Sequence, residues 1–157
     1  MIGMLNFKIE SKIYHPFELV SQNFSKDLFE ALAPVFPPSQ LESFDGDRVG
    51  GLVKIRLGIG ALSKLWVSEI TSRTEHADKV EFVDEGRQLP PPLSKWLHRH
   101  VIRREADGTT LIIDDISFSS GSKILDYMIY PALFAMFSLR TPAYKKYYDR
   151  LAISGNE

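Results

Sequence analysis

The chain has 157 residues, 44% hydrophobic and 25% charged, a mix that suits one globular domain over residues 1–157 and argues against a disordered chain. Its formal net charge of -1 supplies no electrostatic drive toward nucleic acid or an anionic membrane surface. Cysteine is absent, which removes disulfides, thiolate catalysis and thiolate metal sites and fits a reducing, cytoplasmic location.

Met1 to Glu10 lacks a basic region followed by an apolar core, so no signal peptide is expected. Phe7, Ile9 and Ile13 alternate with Lys8, Glu10 and Lys12, the period of a half-buried strand. Pro16 suits a first helical position and opens two short helices, roughly 16–23 and 26–33. The second is apolar at Leu28, Phe29 and Leu32, and Pro34 ends it. A meander of strands follows over 52–57, 62–73, 80–84, 94–103 and 109–118. Val53, Ile55 and Leu57 share one face of the first of these. Asp107-Gly108 marks a hairpin between the last two.

From Ser122 the apolar period changes to about 100° per residue. Leu125, Met128, Ile129, Ala132, Met136 and Leu139 are predicted to face inward, and Tyr127, Tyr130, Phe134 and Phe137 outward. Pro131 is expected to kink this helix or start a new one, and Pro142 to do the same near its end. The most apolar stretch, 127–139, falls short of the roughly twenty residues a membrane span needs, so no stable membrane insertion is expected. The order predicts an α+β architecture: a curved antiparallel sheet of about six or seven strands around one long C-terminal helix. A sheet that curls around a helix need not fill the space between them.

Trp96, His98 and His100 lie on one side of a strand, and Ile102 continues that side. On the neighbouring strand Ile112, Asp114, Ile116 and Phe118 form the facing set. Two histidines and an aspartate therefore share an inner face, where His–Asp pairing satisfies their buried polar atoms. Three roles remain open for them: a network that shapes and polarises a cavity, contact with a ligand, or catalysis or metal binding. If the carboxylate raises a histidine pKa, stability is added below about 6.5 and fades at higher pH.

His98, His100 and Glu105 share the spacing of the first cupin motif, but His100 is the last histidine and Glu105 falls near a turn, so no metal is expected. Ser68, Ser94 and Ser117 stand outside any Gly-x-Ser-x-Gly elbow. Gly58-Ile59-Gly60 and Asp45-Gly46-Asp47 read as turns rather than as phosphate or calcium loops, and no cofactor motif appears. Trp66 shares a face with Ile70, and Val80 with Phe82. Arg140 suits an ion pair or a helix end.

The chain resembles the SRPBCC superfamily, the START and birch-pollen-allergen-like helix-grip fold, in its bacterial ligand-binding or cyclase-like branch. The matching features begin with Pro16, Glu18 and Val20, then Leu32-Ala33-Pro34 and the Gly50-Gly51 pair. Trp66, Glu69-Ile70 and Phe82-Val83-Asp84 follow. The most specific are Trp96-Leu97-His98-Arg99-His100 and Asp114 with Ile116 and Phe118; Thr110 to Ile113 leads into the second, and Phe137 and Arg140 close the set. Pro91-Pro92-Leu93 replaces the family's usual Gly-Pro-Phe, which predicts a stiffer loop at the cavity mouth. The resemblance implies a cavity for small lipids, polyketides, quinones or hormones and does not imply one reaction.

On this reading Trp66, Ile70, Phe82, Trp96, Ile116 and Phe118 line the ligand site from the sheet, and Met128, Ala132 and Met136 from the helix. His98, His100 and Asp114 orient a carbonyl or hydroxyl, without cofactor or metal. Two alternatives stand beside it. One is a cyclase or dehydratase using a His–Asp pair from the same three residues, for which no separate nucleophile is present. The other is a protein-interaction module or homodimer built on the helix aromatics.

Overall fold

The computed structural model describes residues 3–33 and 37–155. Strand β1 (Leu5–Ile13) buries Phe7, Ile9, Ser11 and Ile13 and exposes the intervening charged residues, as its period of two requires. Pro16 caps α1 (Phe17–Gln22) rather than opening it, and α2 (Lys26–Ala31) follows. Val20 and Leu28 seat these short helices in the core. The stop read at Pro34 lies outside the described residues.

The sheet then runs through β2 (Ser39–Phe44), β3 (Leu52–Leu57), β4 (Lys64–His76), β5 (Lys79–Gln88), β6 (Lys95–Arg104) and β7 (Thr110–Ser119). Its order is β1-β7-β6-β5-β4-β3-β2, and every neighbouring pair is antiparallel. β2 was not among the individually predicted strands. It reads Ser-Gln-Leu-Glu-Ser-Phe, and its pairing with β3 shifts register between Leu41 and Ser43, so a polar, irregular edge strand carries no period-two signal. The β4–β5 pairing shifts register twice, at Val67/Ser68 and at Ile70/Ser72. Bulges of this kind bend and twist a ladder, and they curve the sheet over its helix.

Helices α3 (Lys123–Ser138) and α4 (Arg140–Ser154) follow β7, with Ser122 capping α3 by accepting from the Leu125 amide. Pro131 sits inside α3 without ending it. The interruption falls at Leu139, just ahead of Pro142, whose ring conflicts with the carbonyl four residues earlier. No helix among the described residues is long and apolar enough to cross a membrane.

The phase of α3 differs from the one the apolar pattern predicts. Phe137, expected outside, is buried, whereas Met128 and Leu139, expected inside, are 71% and 67% exposed. The cause is Asp126, which is fully buried and accepts hydrogen bonds from the Ser119 hydroxyl and from the Ser120 amide and hydroxyl. Asp126 anchors a stripe that continues through Leu133, Phe137, Arg140, Tyr144 and Tyr148, spaced three, four or seven residues apart across both helices.

Two apolar clusters form the core. One joins Ile13, Val20, Leu28, Phe82, Tyr144 and Tyr148; the other joins Phe7, Trp96, Ile116, Phe118 and Phe137. Along β6, Trp96 belongs to the second and Ile102 to the first, and the two histidines lie between them.

The Gly50-Gly51 pair stitches the β2–β3 connection to β4: the Gly50 amide donates to the Ile70 carbonyl, and the Ile70 amide donates to the Gly51 carbonyl. A Cβ on Gly51 would lie 2.8 Å from the Gly46 carbonyl oxygen and 3.0 Å from that of Arg48, both backbone atoms that cannot swing aside. Gly51→Ala is therefore expected to lower unfolding stability by roughly 1–3 kcal/mol, as overpacking does. Chemical denaturation checks this, and an unchanged midpoint contradicts it.

Candidate ligand cavity

Between the inner face of the sheet and α3 lies a cavity of about 410 Å³. Val53, Ile55 and Leu57 of β3 form one wall, the alternate set that period two placed on one face. Trp66 and Ile70 of β4, Phe82 of β5 and Trp96 of β6 form the floor, with the two indoles edge to face at 4.8 Å. Helix α3 closes the other side with Ile129, Ala132, Leu133, Met136 and Phe137. Pro90, Pro91, Pro92 and Leu93 stand along the rim.

Eight of the predicted binding residues therefore line the cavity: Trp66, Ile70, Phe82, Trp96, His98, His100, Ala132 and Met136. Four do not. Met128 faces solvent, because the Asp126 anchor rotates the helix. Ile116 and Phe118 are fully buried in the packed cluster behind the wall. Asp114 is fully buried and reaches the site through its partners.

The charged and imidazole side chains gather at one end. Register pairing sets His100 opposite Asp114 and His98 opposite Asp84. The hydrogen bonds, however, run diagonally. His98 Nε2 lies 2.8 Å from Asp114 Oδ1, and His100 Nε2 lies 2.8 Å from Asp84 Oδ2. Each carboxylate only accepts, so each Nε2 carries the donated proton. The two imidazoles stack, with centroids 3.6 Å apart, and Phe82 stacks on the outer face of His100 at 4.3 Å. Arg140 Nη1 donates to Asp114 Oδ1 at 3.1 Å, and the Tyr144 hydroxyl donates to Asp114 Oδ2 at 3.2 Å. Ser68 also helps to hold the Asp84 carboxyl low.

The electrostatics follow from this geometry. Burial opposes ionisation of Asp114, but Arg140 and His98 more than offset it and hold the carboxyl well below its usual range. Asp84 is likewise held low against burial by the His100 hydrogen bond and both imidazoles. Burial and the neighbouring His98 push His100 down to about 4, despite the raising influence of Asp84. Burial raises Tyr144 well above its ordinary value, so it keeps its proton as a donor. Arg140 is lowered by burial but raised further by Asp114, and stays a guanidinium.

The expected rise of a histidine pKa beside a carboxylate is thus reversed at His100. Desolvation of a fully buried ring, sandwiched between Phe82 and another imidazole, together with the influence of His98, exceeds the attraction of Asp84 and Asp114.

Among the described residues, Asp84, His98 and His100 are the group with metal-ligand chemistry, their donor atoms lying within 4.8 Å of one another. The arrangement does not fit a shared ion. Imidazole lone pairs lie in the ring planes, and two rings stacked at 3.6 Å and 29° cannot both aim at one point.

Sequence reasoning missed Asp84 and Tyr144 as members of the cluster and gave Arg140 only a structural role. Asp84 was legible, because it follows Val80 and Phe82 at period two. Tyr144 and Arg140 became visible only once the buried Asp126 set the helix phase.

No protein-family model matches the sequence, and the comparison with curated proteins finds no match. Solved structures do match in fold. The Zhui aromatase/cyclase from Streptomyces sp. R1128 superposes with a TM-score of 0.66 at 13% identity, covering 94% of each chain. Ara h 8.0201 superposes at 0.58 and 15% identity, over 93% of this chain and 98% of the other. SA2116 of Staphylococcus aureus, a protein of unknown function, superposes at 0.68 and 12% identity, over 95% and 96%. The fold is a helix-grip fold: a curved seven-stranded antiparallel sheet, two short helices after the first strand and a long C-terminal helical segment.

The lowered pKa of His100 sets a sign for pH dependence. An unfolded histidine takes up a proton near 6.5, whereas folded His100 does so only near about 4. Its contribution to stability is fully present above about 6.5 and is lost as pH falls toward the folded value. Denaturation of the wild type between pH 7 and pH 4 is expected to show a loss on the order of 2–3 kcal/mol beyond that of His100→Gln, which keeps a donor for Asp84 without titrating. Parallel pH profiles contradict the assignment.

Proposed function

We propose that this chain binds a hydrophobic or aromatic small molecule, of lipid, quinone or polyketide-like character, inside the cavity. The observation that carries the reading is the cavity's polarity: apolar walls, with charged groups confined to the Asp84, His98, His100 and Arg140 end. Apolar enclosure supplies affinity and a few convergent polar groups fix orientation. The fold supports this at the level of the superfamily. The whole chain acts as one binding domain, and the lack of cysteine suits a cytoplasmic setting.

A second reading is a cyclase- or dehydratase-type enzyme. Its motive is that His98 and His100 both border the cavity while hydrogen-bonded to carboxylates, and that one similar structure is named an aromatase/cyclase. Against it, both Nε2 protons are committed to Asp114 and Asp84. A third reading, self-association, draws on Tyr127 and Phe134, which leave apolar surface on the outside of α3.

Native mass spectrometry of freshly purified protein and a thermal-shift panel of lipids, quinones and aromatic polyketides test the binding reading. A ligand at about a hundred times its Kd is expected to stabilise the wild type by about 2.7 kcal/mol. Ala132→Trp places a large ring in the lumen and is expected to abolish that response while the protein stays folded. A wild type that responds to no member of the panel, or a variant that responds equally, contradicts the reading.

A further inference from the structure

We propose that Arg140 selects a neutral carbonyl oxygen on the cavity's ligand, as in a ketone or quinone, and that the same polar end turns carboxylates away. This deepens the binding reading above and rests on it.

The first part follows from unused donors. Arg140 borders the cavity, and its side chain is 18% exposed. A guanidinium carries five N–H donors. Here one nitrogen donates to Asp114 Oδ1 and the group also engages Tyr144. Among the described residues no other hydrogen bond from it is present, and none of its nitrogens is both sealed away and unpartnered. The Phe137 ring lies 4.5 Å from the guanidinium carbon and holds the fork in place. A ligand filling the apolar cavity strips water from those open N–H groups. A carbonyl oxygen replaces the water, whereas a hydrocarbon of the same shape leaves the donors unpaired, which is how a buried polar site rejects an analogue lacking its partner.

The second part follows from counting charges. Asp84 and Asp114 are two buried carboxylates beside one guanidinium, and Asp114 already neutralises that guanidinium at 3.1 Å. His98 and His100 direct their Nε2 protons to these carboxylates and not to the lumen. His100 Nδ1 is buried without a partner and adds another electron-rich atom to this end. An incoming carboxylate would be a third anion, with no free cation among the described residues to meet it. A neutral carbonyl asks only for a donor.

Three probes of one shape separate these possibilities: 2-acetylnaphthalene, its hydrocarbon isostere 2-isopropenylnaphthalene, and 2-naphthoate. Each is titrated into the protein at pH 7.5, with calorimetry and quenching of Trp66 and Trp96 as readouts. The ketone is expected to bind about tenfold or more tightly than the hydrocarbon, as one charge-assisted hydrogen bond allows. The naphthoate is expected to bind weakest. In Arg140→Met the ketone-to-hydrocarbon ratio should fall to about one. Should that variant fail to fold, Arg140→Met/Asp114→Asn removes the stranded charge and is held to the same ratio. A hydrocarbon that matches the ketone in the wild type, a naphthoate that binds tightest, or a ratio unchanged in the folded variant overturns the inference and leaves cavity binding standing. Failure of all three probes to bind overturns the binding reading itself.

Discussion

The carboxylate of Asp114 is the constraint on which the rest of this structure turns. It sits on the inner face of β7, fully buried, and a buried charge is tolerable only when opposite charge and donors surround it. Those donors come from two directions: His98 on the adjacent strand, and Arg140 and Tyr144 from α4. Meeting them fixes how the C-terminal helices lie against the sheet. Asp84 and His100 extend the same solution one strand further, and the stacked imidazoles join the two halves. Breaking one partner would leave an uncompensated charge in the interior, so the cluster acts as a rigid waist across the molecule.

On one side of that waist the interior is filled. Phe24, Tyr144 and Tyr148 pack with the two short helices, and the Tyr148 hydroxyl is satisfied by the Val20 carbonyl. On the other side it is not. There α3 presents Ala132 among larger side chains, and the bulged β4 carries the sheet away from the helix. The cavity is thus a consequence of curvature combined with a helix anchored at both ends, by Asp126 at its start and by Arg140 just beyond its finish. Its guanidinium is already paired with Asp114, which leaves hydrogen-bond donors rather than a free cation to meet a ligand.

Much of this was legible in the sequence, for physical reasons that can be named. Strand β1 alternates cleanly because one face is buried, His98 and His100 share a face of β6, and the hairpin at Gly108, whose φ is 83°, placed them together with Asp114 of β7. The Trp66 and Phe82 walls followed from the same period. Strand β2 was hidden by its polar edge composition. The phase of α3 was hidden because an almost continuous apolar run has no polar boundary, and its one polar anchor, Asp126, points inward. The electrostatic balance at His100 was also beyond the sequence, because it depends on two rings stacked against it.

An apolar ligand is proposed to occupy the space between the sheet and α3. The protein's two tryptophans, Trp66 and Trp96, both border that space. Their indole N–H signals in a nitrogen-15 correlation spectrum, followed while an aromatic ketone is titrated in, report on it directly. Both indole signals are predicted to shift saturably with one affinity. Binding that leaves both indoles unmoved would place the ligand elsewhere and contradict the account.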